Sequence, residues 1–395
     1  MMPYRLYGIP AGLYPGKARS YLRKQAIDFI DVAPGSNHFR NHIVPAVGRW
    51  INPVMETPDG ELIQDTVDII DHFERGPAQH LVRCSAYPTT PVHLAVSHIF
   101  EMFGGEGLLR PAMHYRWNFD NENLNFIRSE FALCFPSSYS QDEADEAFDN
   151  ASTRMRQATR SFGVNADTAP VIEAAFQEWL RLFSAHLVDH SYLLGGHATL
   201  GDYGLMATMW QHLFRDPVPQ FLIKRTAPRV GRWVERMSTI EPYYLEPDAS
   251  EYLIADDQLP DTLLAMMRFV AEEYLPEISA HVERANRWLA DNPNLENGTN
   301  GADDPAARGL TGGLGMGGGE LTAFEWRGRQ IETGVLPYRF WLLQRLQDDL
   351  ATATLDEQAK VRSVCRSTGL EALLDLKTSR RVERVNNREV WGPTI

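Results

Sequence analysis

The sequence is poor in cysteine and in positive charge, and it has no long apolar run. Cys84, Cys134 and Cys365 stand far apart in 395 residues, with neither a C-x-x-C pair nor a zinc-type spacing. A disulfide framework and a dithiol redox centre are thereby excluded as organising features, and the thiols read as small hydrophobes in a reducing compartment. Lys and Arg number 38 against 52 Asp and Glu, a formal charge of -14. A nucleic-acid partner would need a basic face, so none is expected. No stretch reaches the roughly 18 apolar residues of a membrane helix, and no membrane partner is expected either. The opening Met1-Met2-Pro3-Tyr4-Arg5-Leu6 enters a strand pattern without signal-peptide features, so a cytoplasmic location is the expectation. There is no internal repeat.

What is present is an ordinary globular composition, 44% hydrophobic and 23% charged, in a chain long enough for two or three domains. Its most informative stretch is residues 53 to 73. Pro53 opens a short apolar run, where proline is tolerated in a strand. Pro58-Asp59-Gly60 supplies turn chemistry, and Glu61-Leu62-Ile63 returns as a second strand. The period then changes to 3.6, with Val67, Ile69, Ile70 and Phe73 on one helical face. Asp65 and Thr66 stand at the first turn of that helix, where unpaired N–H groups and the helix dipole can hold an anionic ligand group. Upstream, Tyr4 to Gly8 reads as a strand, Pro10 to Gly16 as a loop, Lys17 to Lys24 as a helix and Phe29 to Val32 as a second strand.

This half resembles the glutathione-binding domain of the glutathione transferase superfamily, in which a cis-proline, a strand, a D-G turn, a strand and an acid-hydroxyl pair open a helix. Pro53, Asp59-Gly60 and Asp65-Thr66 carry the match; Asn52, before the proline, departs from the family's apolar preference. The resemblance implies glutathione as co-substrate, its cysteinyl part paired with the backbone of Asn52 and its γ-glutamyl end held by Asp65 and Thr66. Arg49, Trp50, His38 and His42 are candidates for the glycine carboxylate. His38 and His42, four apart, fall short of a metal set, and no metal is expected. Glutathione's thiol, like a free cysteine near pKa 8.5, needs a donor to ionise at neutral pH. Tyr7, at the end of the first strand, and Tyr14, three residues before Lys17, are the two candidates. Gly12 stands where the serine and cysteine types keep their activating residue, which weighs against the oxidoreductase branch.

Residues 91 to about 240 are helical in period. Ile172, Phe176, Trp179, Leu180, Phe183 and Leu187 form an apolar stripe, and Thr199-x-x-Asp202 is a capping-box pattern before another apolar helix. A Ser/Thr-x-x-Asp box in the helical domain is a second mark of the same superfamily. The resemblance also places a second-substrate pocket between the domains, with His114, Tyr115 and Trp117 as candidate lining and helical core as their alternative reading. Beyond 249, Leu263 to Leu289 reads as a helix broken at Pro276, and Val335 to Leu350 and Leu355 to Leu376 as further helices. Gly313 to Gly318 matches G-x-G-x-x-G without the strand it needs, and reads as a surface loop. The basic run Lys377 to Arg388 reads as a solvated tail.

The expected fold is therefore α+β: a thioredoxin-like N-terminal domain (1–78), an all-helical domain (90–248) and a helical C-terminal extension (249–395). The expected function is a homodimeric transferase conjugating glutathione to an apolar, aromatic small-molecule electrophile. Two alternatives stay open: a non-catalytic binding or scaffold protein of this fold, and a glutathione-dependent lyase, isomerase or dehalogenase. Phe substitutions at Tyr7 and Tyr14 discriminate the first of these.

Overall fold

The structure, a computed structural model, describes residues 3–243, 250–299 and 321–395. The Gly313–Gly318 motif lies outside the described residues. The chain opens as β1 (Tyr4–Tyr7), α1 (Leu13–Lys24) and β2 (Phe29–Val32), then the single turn α2 (Val44–Val47), and closes its sheet with β3 (Val54–Glu56), β4 (Leu62–Gln64) and α3 (Thr66–Glu74). The strand order is β2-β1-β3-β4. β1 pairs parallel with β2 and antiparallel with β3, and β3 pairs antiparallel with β4. That is the thioredoxin-like arrangement. The Asn52–Pro53 peptide is cis, and Gly60 takes φ 86 in the β3–β4 turn, a conformation that glycine adopts without a Cβ penalty. Val67, Ile69, Ile70 and Phe73 of α3 are fully buried against the sheet and α1.

Helices follow: α4 (Pro91–Met102), α5 (Leu109–Trp117), α6 (Asp120–Ala132), α7 (Gln141–Ala158), α8 (Ala169–His186), α9 (Leu200–Gln211), α10 (Pro217–Thr226) and α11 (Pro228–Arg236). α9 is the central one, packed on both α1 and α4. Its start is fixed by the capping box. The buried Asp202 carboxylate accepts the Thr199 N–H at 3.0 Å, the Leu193 N–H at 3.1 Å and the Trp233 Nε1–H at 3.2 Å. α4 and α9 cross backbone to backbone at Gly204, where a Cβ would stand 2.3 Å from the Glu101 Cα.

The extension begins with α12 (Asp261–Glu273) and α13 (Leu275–Asp291), divided where Pro276 enters the first turn of α13. It is not helical throughout, because two β-hairpins interrupt it. β5 (Leu321–Trp326) and β6 (Arg329–Gly334) precede α14 (Pro337–Ala351) and α15 (Leu355–Thr368), the latter opened by a Thr354/Glu357 capping box. β7 (Arg380–Val385) and β8 (Arg388–Thr394) then pair antiparallel. The run from Lys377 to Arg388 is thus an edge of folded structure rather than a solvated tail. Val382 and Trp391 are buried beneath it, and the Trp391 ring stacks over Trp288 at 6.2 Å. The larger core cluster runs from α1 and α3 through α9 to Trp391. Among the described residues no helix is long and apolar enough to cross a membrane, and no group of three or more His, Cys, Asp and Glu could hold a metal ion.

Candidate active-site cleft

A cleft of about 280 Å³ opens between the thioredoxin-like half and the extension, near the lower end of the range for small-molecule sites. Tyr14, Arg49, Asn52, Pro53 and Asp65 wall one side, with Glu106 from the turn after α4 at its base. Leu336, Pro337 and Tyr338 at the start of α14, and Glu389 of β8, wall the other. Five of the residues expected from the sequence therefore meet in one place. The four contributed by the extension were invisible in the sequence, because nothing local to them signals a ligand.

Asp65 is held in an unusual way. Its backbone sits at φ 97, ψ 146, a region that non-glycine residues rarely occupy and that costs on the order of 1–3 kcal/mol. Its Oδ1 accepts the Val67 N–H that starts α3 at 2.8 Å and the Tyr338 hydroxyl at 2.8 Å. The Arg384 guanidinium lies 3.2 Å from Oδ2. Strain at the helix start is thus offset by a cap, a hydroxyl and a cation. Burial and the adjacent Asp65 charge push the Asp68 carboxyl up to about 6, against the pull of Arg384. Thr66 is buried as the first residue of α3 and does not line the cleft. On the same wall Arg49 donates to the Asn387 carbonyl at 2.5 Å, which ties the thioredoxin-like half to the β7–β8 turn.

Tyr14 reaches the cleft with its hydroxyl donating to Glu106 Oε1 at 2.9 Å. Burial, then the Glu106 charge, raise the hydroxyl's pKa well above its usual value. Burial also raises the Glu106 carboxyl, opposed by the Arg339 guanidinium whose Nε donates to Oε2 at 3.1 Å. Behind Glu106 runs a buried row of alternating charge. Arg339 donates to Glu277 at 2.6 Å, Arg110 to Glu277 at 2.7 Å and to Glu273 at 3.0 Å, and Arg327 to Glu273 at 2.8 Å. Buried ions are tolerable only when each is paired in this way. Burial would raise Glu277, but Arg339 and Arg110 outweigh it and bring its pKa down to about 2. The row pins Glu106, so the Tyr14–Glu106 pair faces the cleft as a fixed unit.

The other candidates lie elsewhere. Tyr7 is buried in a separate small cluster with Phe39, Ile43, Val47 and Val54, and its hydroxyl donates to Glu56 at 2.6 Å. Its strand position turns the ring away from the cleft. His38 stacks on that ring at 5.9 Å and Trp50 is exposed; neither lines the cleft. His114, Tyr115 and Trp117 are not a substrate pocket but core. His114 Nε2 bonds Glu173 at 2.9 Å and its Nδ1 bonds Asn118 at 2.8 Å. Tyr115 stacks on Phe119, and Trp117 packs edge-on against Phe131. The aromatic density that suggested a pocket is the inner packing of α5.

No family model matches the chain, and no curated relative does. Among solved structures it is similar to the beta-etherase LigF from Sphingobium sp. strain SYK-6, at 16% identity over 60% of this chain and 95% of that one, with a TM-score of 0.41. It is similar to glutathione transferase GSTFuA3 from Phanerochaete chrysosporium at 10% identity, over 60% and 97%, with a TM-score of 0.41. A glutathione S-transferase from Methylobacterium radiotolerans JCM 2831, solved with glutathione sulfonate, is similar at 16% identity, over 65% and 99%, with a TM-score of 0.33. The fold assignment itself rests on the strand order, the registers and the capping box.

Proposed function

We propose that the cleft binds glutathione and transfers it, as a thiolate, to a small apolar electrophile. The observation that carries this reading is the convergence of Tyr14, Asn52-Pro53 and Asp65, far apart in sequence, on one cleft of a thioredoxin-like half. The backbone of Asn52 would pair with the cysteinyl part, and Asp65 at the start of α3 would take the γ-glutamyl end. Arg49 would face a carboxylate.

The chemistry falls to Tyr14 and Glu106. A hydroxyl already donating to Glu106 retains its lone pairs and can accept the thiol S–H. The thiol proton then passes to Tyr14 as the Tyr14 proton passes to Glu106, leaving a thiolate, a neutral tyrosine and a neutral Glu106. Burial has already made that carboxylate a better base than an exposed one. The negative charge moves from Glu106 to sulfur, so the cleft never holds both anions. Attack on the electrophile forms the S–C bond as the leaving group departs. Proximity of the two reactants supplies the rest of the acceleration.

A non-catalytic binding role is the second reading, favoured by the Tyr14 hydroxyl being already engaged at 2.9 Å. Calorimetric titration with reduced glutathione tests the site: micromolar to low millimolar binding, about -8 to -4 kcal/mol, is expected. Turnover of aromatic electrophiles by the same preparation separates the two readings. No heat and no thermal shift at high ligand would remove the transferase reading and favour the non-catalytic one.

A further inference from the structure

Away from the cleft, the outer face of α8 meets the junction of α10 and α11 and leaves a pocket of about 280 Å³. Gln177, Arg181, Ser184, Ala185 and Val188 recur at the spacing of one helical face, and Thr226 and Arg229 close the pocket from the second wall. Leu180, from the buried stripe of α8, is its apolar floor. The lining holds two guanidiniums and no carboxylate, in a chain whose acids outnumber its bases by 52 to 38. Among the described residues, Arg181 and Arg229 make no ion pair, and Gln177 and Ser184 make no side-chain hydrogen bond. The acid next along the face, Glu178, is engaged by Arg327 at 3.0 Å, and the Thr226 hydroxyl donates to the Leu222 carbonyl at 2.8 Å. α11 starts beside the pocket without a side-chain cap and with no acidic residue in its first turn, so the partial positive charge of that nine-residue helix adds to the two arginines.

We propose that this pocket is a second ligand site, for a phosphate monoester with a small apolar body. The phosphoryl group goes between Arg181 and Arg229, whose planar forks can each donate two parallel N–H bonds to a pair of its oxygens. The Ser184 hydroxyl and the Gln177 amide supply further donors. Forks on two walls suit tetrahedral phosphoryl oxygens better than the two coplanar oxygens of a carboxylate. The body of the ester lies against Leu180, Ala185 and Val188. The net charge of -14 sets the long-range field of the molecule against anions, so capture depends on these local donors and not on steering. The pocket shares no lining residue with the cleft, and the inference is independent of the glutathione reading.

The test is calorimetry on the full chain, at constant ionic strength, with phenyl phosphate, inorganic phosphate and benzoate. The wild type is expected to bind phenyl phosphate saturably and more tightly than the other two. Arg181→Gln and Arg229→Gln are each expected to weaken phenyl phosphate at least tenfold, and Arg229→Lys to lose less than Arg229→Gln. Both arginines are exposed, so neither change empties the core, and an unchanged circular dichroism spectrum certifies folding. Arg225→Gln is the control, because Arg225 is exposed on α10 beside Thr226 but does not line the pocket; it is expected to leave affinity within twofold. A loss in Arg225→Gln equal to that in Arg181→Gln would reveal a diffuse basic surface and overturn the site. So would the absence of saturable binding by the wild type, or binding unchanged when Arg181→Gln and Arg229→Gln are combined. Benzoate as tight as phenyl phosphate overturns the phosphoryl assignment, and inorganic phosphate as tight overturns the monoester.

Discussion

Two tyrosines competed for one task, and their surroundings separate them. Tyr14 shares a cleft with the cis peptide and Asp65, whereas Tyr7 is sealed behind Glu56 in its own cluster. Sequence spacing could not decide between them, because both flank the same loop and the choice depends on which way each ring turns. Tyr14→Phe removes the proton path and is expected to lower kcat/KM for conjugation by about 10²-fold, with glutathione affinity changed little, as steady-state kinetics and calorimetry together would read. Glu106→Gln keeps the hydrogen bond and loses the base, so a similar fall in kcat is expected. The wild-type rate should climb as pH rises through the raised Glu106 pKa, since only the ionised carboxylate can accept a proton; in the Gln variant that limb should vanish. Tyr7→Phe forfeits one hydrogen bond and is expected to cost about 1 kcal/mol of stability with turnover intact. A large loss of turnover there would move the chemistry out of the cleft.

At the scale of elements, legibility follows how local the governing interactions are. The β3–β4 hairpin, α3, the division at Pro276 and the Thr199 and Thr354 capping boxes rest on neighbours within a few residues, and each stands where its residues point. The two extension hairpins also carry local signals: the Arg327-Gly328 and Asn386-Asn387 turns have positive φ at both positions, as a two-residue type I′ turn requires. One hairpin lies in a basic run and the other follows a glycine-rich stretch, and neither composition marks a strand. α5 shows the opposite case, where amphipathic aromatics are the same whether they line a pocket or fill a core. The α4–α9 crossing makes an element-scale prediction. Gly204→Ala places a methyl 2.3 Å from the Glu101 Cα, where backbone cannot yield cheaply. A loss of about 1–3 kcal/mol or more is expected in denaturant titration. A neutral result would mean that the two helices can separate.

For the whole molecule, buried titratable groups set the response to acid. Burial, with His190, brings His186 down to about 3, and burial, with Arg339, brings His281 down to about 3, from 6.5. Both are neutral in the fold and protonated in the unfolded chain between those values, so their contribution is complete above pH 6.5 and is lost as pH falls toward 3. Asp202 runs the other way. Burial raises it from 3.8 to about 6, so its contribution is complete below 3.8 and is lost as pH rises through 6. The buried histidines, His212 among them, outweigh Asp202 and Asp68, and a net loss of stability is expected between pH 7 and pH 4. Below 4.5, Glu101 and Glu277, both brought down to about 2 by their cationic partners against the effect of burial, add to the loss. Thermal midpoints across this range check the sign, and His281→Gln should flatten the slope. A midpoint that rises on acidification would contradict the neutral-histidine assignment.

By itself the sequence determined the thioredoxin-like half, the helical region behind it, the cap of α9, and most of one wall of the cleft. These follow from periodicity, turn chemistry and caps, which act over a few residues. Only the tertiary structure decided which tyrosine lines the cleft, that α5 is core, and that Tyr338 and Arg384 close on Asp65 from 273 residues away in one case and from the last hairpin in the other. Such contacts are made by packing and charge complementarity between distant segments, and no local pattern in either partner encodes them.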